Sequence, residues 1–298
     1  MDPGRPCFFP KDCAGHKDLS ERLSVRQVKN IVCRREHKPV SRKDETMNTT
    51  KIIALSGKGG VGKTSLAAVT VRALTEKYPD KKILAIDADP AVGLATALGI
   101  DVSLTIDDIR RQVVASVENG DTRSAVELLG EAKYHIYDAM VETEDFSFIA
   151  VGRPESAGCY CKINSYLKEV IALVADNFDY IVIDGEAGIE QINRRVMEKV
   201  THLILVTDAS KKGTQVIRTI KSVADNLVMY EKLGVIVNRL PDESVRKYLE
   251  LGDLPVLAYI GQDSDLCAFD ITGQNVFFMD SDSVMSRGVR QALEKLEV

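Results

Sequence analysis

"KIIALSGKGGVGKTS", residues 51–65, is the stretch on which the reading of the whole chain turns. Its first five residues are a short apolar run rich in isoleucine and leucine, the pattern of a strand covered on both faces. The run leads straight into G-x-x-x-x-G-K-[ST], satisfied by Gly57, Gly62, Lys63 and Thr64. Glycines are needed there because backbone N–H groups must turn inward around phosphate oxygens, and side chains would block the approach. The helix expected after the loop presents further N–H groups and its dipole to the same anion. Gly57, Lys58, Gly59, Gly60, Val61, Gly62, Lys63, Thr64 and Ser65 together form the candidate cradle. Lys63 reaches the β- and γ-phosphates in this reading, and the Thr64 hydroxyl is a ligand for Mg²⁺.

Working outward, "KILAID", "FSFIAVG", "YIVIDG", "HLILVT", "LGVIVN" and "LPVLAYI" are further short runs of the same kind. Segments with helical spacing lie between several of them, including 66–78 and 213–227. Repeated β-α units predict an α/β fold: a doubly wound, mostly parallel sheet with helices on both faces. Residues 101–145 are richer in charged and helix-forming residues and read as an insertion over the top of the sheet. The sequence divides into an N-terminal extension, 1–46, and a P-loop ATPase domain, 47–298. The extension carries eleven Lys/Arg against seven Asp/Glu and three of the six cysteines. It is either a tail, with a short amphipathic helix over 18–36, or the product of an upstream start codon.

Bulk properties exclude several classes. The 298 residues are 45% hydrophobic with a net charge of −5, enough for a sizeable core and without a general attraction for nucleic acid. No apolar run approaches the roughly 18 to 20 residues of a membrane span. The N-terminus interrupts with charges and prolines the apolar stretch that a secretory signal needs. A cytoplasmic address follows, where cysteines persist as thiols.

Carboxylates sit where such a sheet opens. "IDADP" ends one strand with Asp87 and Asp89, and "VIDG" ends another with Asp184. The C-terminal edge of parallel strands is the mouth at which ligands bind. A structural cap of the next helix is one role open to Asp89. Asp184 is the candidate carboxylate for Mg²⁺. Asn238, at the end of "GVIVN", offers a donor and an acceptor to an adenine edge, or makes an ordinary turn. No N-K-x-D tetrapeptide is present, which favours ATP over GTP.

Lys58, directly after the first glycine, makes the loop GKGGVGKT. This resembles the deviant Walker A group, which includes MinD, ParA and the nitrogenase iron protein. The resemblance implies that Lys58 reaches across a homodimer interface to the partner's nucleotide, so ATP binding and dimer closure are one event. It also implies the water-orienting role for Asp89, which makes Lys58, Lys63 and Asp89 the candidate catalytic set.

"GRPESAGCYCKIN", residues 152–164, places Cys159 and Cys161 two apart. Buried filler is one reading of the pair. The other is metal: two thiolates cannot complete a four-coordinate site, but a symmetric dimer supplies two more. Soft thiolates suit Zn²⁺ and admit Ni²⁺. The combination of GKGGVGKT, DADP, VGRPESAGCYC, IDGEAGIEQINRR and VTDASKKG resembles the CooC-type nickel-insertion ATPases of carbon monoxide dehydrogenase maturation, from about residue 51 onward. That resemblance implies a Ni²⁺ or Zn²⁺ site formed by Cys159 and Cys161 at the dimer interface. It also implies a client that is carbon monoxide dehydrogenase or a related nickel enzyme.

The extension departs from that pattern, and its Cys7, Cys13, His16, Cys33 and His37 are a second place for a metal or an iron–sulfur cluster. Two other classes compete. An iron–sulfur electron-transfer ATPase would use two cysteines well apart in sequence. A MinD- or ParA-like spatial regulator would use a basic membrane-binding helix or DNA, whereas the C-terminal segment 281–298 reads as a helix packed on its own domain. No stable membrane association and no nucleic acid partner are therefore expected. Cys267 reads as buried filler, His135 and His202 as structural residues in or beside strands. Arg194 and Arg195 read either as contacts to a partner or as a solvated helix face.

Overall fold

The computed structural model describes residues 50–89, 92–118, 135–152, 172, 174–185 and 200–298. Eight strands form one sheet: β1 (Lys51–Gly57), β2 (Ile83–Asp87), β3 (Val141–Glu142), β4 (Ser147–Ala150), β5 (Tyr180–Asp184), β6 (His202–Thr207), β7 (Lys232–Leu240) and β8 (Val256–Gly261). Their spatial order is β3-β4-β2-β5-β1-β6-β7-β8. Every pairing is parallel except β3 with β4 at one edge. The expected doubly wound sheet is the one found, and all seven strands read from the sequence form. β3 is the addition; two residues are too short to show a period.

Strand residues alternate between two cores. Ile53 and Leu55 of β1, Val182 of β5, and Ile204 and Val206 of β6 face one side. Ala54, Ile181, Ile183, Leu203 and Leu205 face the other. Both sides are apolar because helices cover both, which is why the strands read as continuous runs. On the first side lie α1 (Lys63–Lys77), α2 (Gly93–Leu98) and the C-terminal α6 (Val284–Leu296). On the second lie α3 (Ile106–Glu118) and α4 (Lys211–Leu227). A further helix, α5 (Ser264–Thr272), follows β8.

α1 is buried from Ser65 to Leu74, between sheet and α6. Its alanines and leucines are strong helix formers that fit a site enclosed on all sides. α4 instead buries only a stripe, Gly213, Thr214, Ile217, Ile220 and Ala224, spaced for one helical face. Ser210 caps it, its Oγ accepting the Gly213 N–H at 3.0 Å. α6 buries Met285, Val289, Ala292, Leu293 and Leu296, so the C-terminal segment packs on its own domain as read. Val284, at the start of the helix, is 37% exposed. Lys51, Lys77 and Lys232 donate to the carbonyls of Glu297, Val298 and Leu296. His202 lies within hydrogen-bond distance of the Leu296 carbonyl as well. Cations at this end complement the helix dipole and satisfy carbonyls that have no partner within the helix.

The segment read as an insertion contributes Ile106, Ile109, Ile136 and Ala139 to the second core. It meets the top of the sheet where the Asp107 N–H donates to the Val151 carbonyl, just past β4. Two local readings are corrected. His135 is exposed, with its Nδ1 2.8 Å from Asp138 Oδ2 in the same turn, so a local polar contact rather than packing holds it. His202 is buried in β6, as expected. Cys267 is exposed on α5: only Leu266 of that helix is buried, so its apolar composition does not mark an inward face. Among the described residues, no helix is long and apolar enough to cross a membrane. The extension, Cys159, Cys161, Arg194 and Arg195 lie outside the described residues.

Candidate functional site

β1 lies at the centre of the sheet, between β5 and β6, and its C-terminal end delivers the glycine-rich loop to the mouth. Gly57 has φ +153°, and a Cβ placed on it would fall 2.1 Å from the carbonyl oxygen of Val206 in β6. Glycine there is a packing requirement as well as a conformational one. The Lys58 N–H continues the contact with Val206 at 3.3 Å. Gly60 and Gly62 have φ values of +74° and +88°, and Gly62 is the left-handed residue from which α1 starts. Val61 between them anchors the loop by burying its side chain in the first core.

Lys63 is 7% exposed, and its ammonium donates to the Lys58 carbonyl at 3.3 Å. The side chain folds back over the loop, which is the posture a phosphate-gripping lysine needs. Thr64 follows at the first turn of α1, with its methyl group 3.4 Å from where a Cβ on Gly93 would lie, at the start of α2. Ser65 turns away: it is buried, with Oγ 3.5 Å from Asp270 of α5.

Asp87 and Asp184 are register partners at the ends of β2 and β5, and both are fully buried. The Asp87 carboxylate accepts the N–H groups of Asp89 at 3.1 Å and Leu94 at 2.8 Å. It therefore fixes the connection that carries Asp89 and the start of α2. Burial first, and the Asp184 charge second, push its pKa up to about 7. Among the described residues, the two oxygens of Asp184 have no hydrogen-bond partner. Burial raises its pKa to about 6, against the pull of the Thr64 hydroxyl and the Lys63 ammonium nearby. A buried carboxylate without hydrogen bonds beside a threonine hydroxyl is an oxygen donor set that fits Mg²⁺.

Lys58 points elsewhere. Its ammonium is 2.6 Å from Asp208 Oδ2 and 3.3 Å from Ser210 Oγ, at the loop after β6. Asp208 is itself held by the Ser210 N–H and hydroxyl. Burial works to raise the Asp208 pKa, but the hydrogen bonds from Lys58 and Ser210 hold it below the ordinary carboxylate value. The two lysines of GKGGVGKT thus serve different places, one inside the loop and one at its rim.

Asn238 is 1% exposed, and its Nδ2 donates to the Val61 carbonyl at 2.8 Å, leaving Oδ1 without a partner among the described residues. The strand does not end there, as the sequence suggested, but runs on to Leu240. Arg239 has a left-handed φ of +54° and donates to the Gly60 carbonyl at 2.9 Å. The loop, Lys58, Lys63, Thr64, Asp184 and Asn238 are brought together at one end of the sheet, with Asp89 on the adjacent β2–α2 connection. Sequence reasoning missed three participants: Asp87 as an organiser of that connection, Asp208 as the partner of Lys58, and Arg239. D-x-D at a strand end was a signal for the first. Asp208 lies within VTDASKKG, quoted above for the resemblance, but nothing there names it as the partner of Lys58, and nothing marks Arg239.

Residues 52–276 match the family described as the CobQ/CobB/MinD/ParA nucleotide binding domain. An uncharacterized ATP-binding protein of Methanocaldococcus jannaschii is 32% identical over 249 residues, covering 82% of this chain and 98% of that one. The carbon monoxide dehydrogenase accessory protein CooC of Rhodospirillum rubrum is 27% identical over 208 residues, covering 63% of this chain and 78% of that protein. Among solved structures, the septum site-determining protein MinD of Pyrococcus horikoshii, complexed with Mg-ADP, superposes with a TM-score of 0.60 at 24% identity. That match covers 83% of this chain and 96% of the MinD chain. A phosphate loop built on the central strand, two buried strand-end aspartates and this family match lead to one assignment: the chain belongs to the CobQ/CobB/MinD/ParA family of P-loop ATPases.

Proposed function

We propose that this chain is a cytoplasmic ATP-driven metallochaperone: a homodimer that closes on ATP, holds Ni²⁺ or Zn²⁺ between subunits through Cys159 and Cys161, and supplies nickel to carbon monoxide dehydrogenase or a related nickel enzyme. The observation that carries this reading is the coexistence in one chain of the two-lysine loop and the Cys-Tyr-Cys. Similarity to the Rhodospirillum rubrum accessory protein supports it.

ATP is the substrate, and each residue has a task. Backbone N–H groups of the loop bind phosphate oxygens while Lys63 neutralises the β- and γ-phosphates. The free Oδ1 of Asn238 is the acceptor an adenine amino group requires. Asp89 orients the attacking water. Thr64 and Asp184 hold Mg²⁺, which when bound neutralises charge on the β- and γ-phosphoryl oxygens. Lys58 leaves Asp208 and reaches the partner's nucleotide when the dimer closes. Closure brings two thiolates from each subunit together, and reopening after hydrolysis releases the ion.

A spatial-regulator reading draws support from the MinD likeness in fold. The packing of α6 on its own domain stands against a membrane-seeking C-terminal helix. Equilibrium dialysis against Ni²⁺ and Zn²⁺ tests the proposal, with wild type beside a Cys159→Ser/Cys161→Ser double variant. About one ion per two chains, lost in the variant, is expected from four-sulfur coordination across a twofold axis. Binding that survives in the variant, or no binding by wild type, contradicts it.

A further inference from the structure

We infer that Arg239 is a positioning residue for phosphate binding, which together with Asn238 sets two N–H groups of the loop before any nucleotide arrives. The inference rests on the nucleotide-binding reading of the loop and concerns how β7 prepares it.

Two consecutive loop carbonyls are captured by two consecutive residues of β7. Arg239 Nη1 donates to the Gly60 carbonyl at 2.9 Å, and Asn238 Nδ2 donates to the Val61 carbonyl at 2.8 Å. In a trans peptide the C=O and the following N–H point in opposite directions within one plane, and the described residues contain no cis bond. Holding the carbonyls of residues 60 and 61 against β7 therefore aims the N–H groups of Val61 and Gly62 away from β7, on the concave side of the loop. Successive N–H groups presented this way form an anion-binding nest.

The geometry is not one a regular strand provides. Adjacent strand residues project to opposite faces, so 238 and 239 should not reach the same loop. Two irregularities make it so. The register with β8 shifts between Val237 and Leu240, and Arg239 adopts φ +54°. Only three described non-glycine residues have positive φ. Glu297 caps α6 and Val92 caps the start of α2, whereas Arg239 lies within β7 and contacts the loop. Left-handed backbone at an arginine is a conformational cost, and such costs cluster where function needs a fixed arrangement. The Cβ position of Gly62 lies 2.8 Å from Asn238 Nδ2, so strand and loop are pressed together at the same place.

The test uses the full chain with Arg239→Gly and Arg239→Lys, titrated calorimetrically with MgADP and with AMP and melted without nucleotide. Glycine removes the guanidinium and the left-handed strain together, so the variant should melt no lower than wild type. It should nevertheless bind MgADP about tenfold more weakly, the loss expected for one charge-assisted hydrogen bond that organises the site. AMP, which lacks the phosphate the loop grips, should change by less than about twofold. Lysine keeps the strain and one donor, and should recover most of the affinity. A purely structural role would move stability and leave the ratio of MgADP to AMP affinity unchanged. An unchanged MgADP affinity in Arg239→Gly overturns the inference, as does an Arg239→Lys variant that binds MgADP as weakly as Arg239→Gly, or an equal loss for MgADP and AMP. Wild type that binds no MgADP overturns the nucleotide reading itself, and the inference with it.

Discussion

Replacing Lys58 by alanine is expected to slow ATP hydrolysis by about 10³-fold or more, while ADP affinity stays within about threefold. The separation follows from where the two lysines lie. Lys63 is folded over its own loop and almost wholly buried, so the grip on the bound nucleotide remains. Lys58 is at the rim, paired with Asp208, and both side chains are about a quarter exposed. A partly exposed pair of this kind contributes roughly 0.2–1 kcal/mol, weak enough for a partner's phosphate to displace. In the closed dimer the ammonium would then act as a cation supplied in trans, an arrangement worth 10³- to 10⁵-fold when the cation is an arginine finger. Single-turnover hydrolysis, with ADP titration and sizing in the presence of ATP, separates the possibilities. Loss of turnover and of the ATP-dependent dimer with intact ADP binding is the expected pattern. Hydrolysis at the wild-type rate would reduce Lys58 to a surface charge paired with Asp208.

Asp184→Asn is expected to act in two directions at once. Turnover should fall by roughly 10²- to 10³-fold, because the carboxylate that would hold Mg²⁺ at the phosphates becomes a neutral amide. Stability of the nucleotide-free protein at pH 7.5 should rise. Asp184 has a folded pKa of about 6, raised chiefly by burial, against an ordinary value of 3.8. Between those values the folded chain binds the proton and the unfolded chain does not, so stability is lost as pH rises from about 4 to about 6 and stays lost above. The full linkage is about 3 kcal/mol, and the amide removes it, less what Lys63 loses with its neighbouring charge. A rise of several degrees in melting temperature at pH 7.5, shrinking towards pH 4.5, is the expected result. Asp87, pushed up to about 7 by burial and by the Asp184 charge, makes the wild-type slope steeper and extends it upward. His202 works the other way below about 6.5, since burial lowers its pKa and its protonation costs the fold. Denaturation melts from pH 4.5 to 8 in both proteins check the sign. A variant less stable than wild type at pH 7.5 would mean that the buried charge is better compensated than its unbonded oxygens indicate.

The sheet was legible in the sequence because its strands are buried on both faces, and such strands announce themselves as unbroken apolar runs. The phosphate loop was legible because its chemistry constrains three of its glycines: Gly57 against Val206 leaves no room for a side chain, and Gly60 and Gly62 hold positive φ. What was not legible depends on contacts distant in sequence. Lys58 meets Asp208 across 150 positions, and Arg239 meets Gly60 across 179. The local sequence does not say which residue either one will meet. A left-handed arginine and a register shift are three-dimensional facts that no periodicity encodes. The reading of Cys267 failed for a simpler reason: an apolar residue in a helix is a weak guide to which face is inward, and α5 buries only Leu266.

Nickel affinity measured in two nucleotide states bears most directly on the coupling of ATP to metal. Wild-type protein would be titrated with Ni²⁺ in saturating MgADP and again in a non-hydrolysable Mg-ATP analogue, with the oligomeric state followed in the same samples. Closure that joins two cysteine pairs should tighten Ni²⁺ binding by at least about tenfold in the analogue state, a coupling of about 1.4 kcal/mol, with the dimer forming alongside. Equal Ni²⁺ affinity in the two states would contradict the account, because a nucleotide that does not change the grip on the ion cannot drive its delivery.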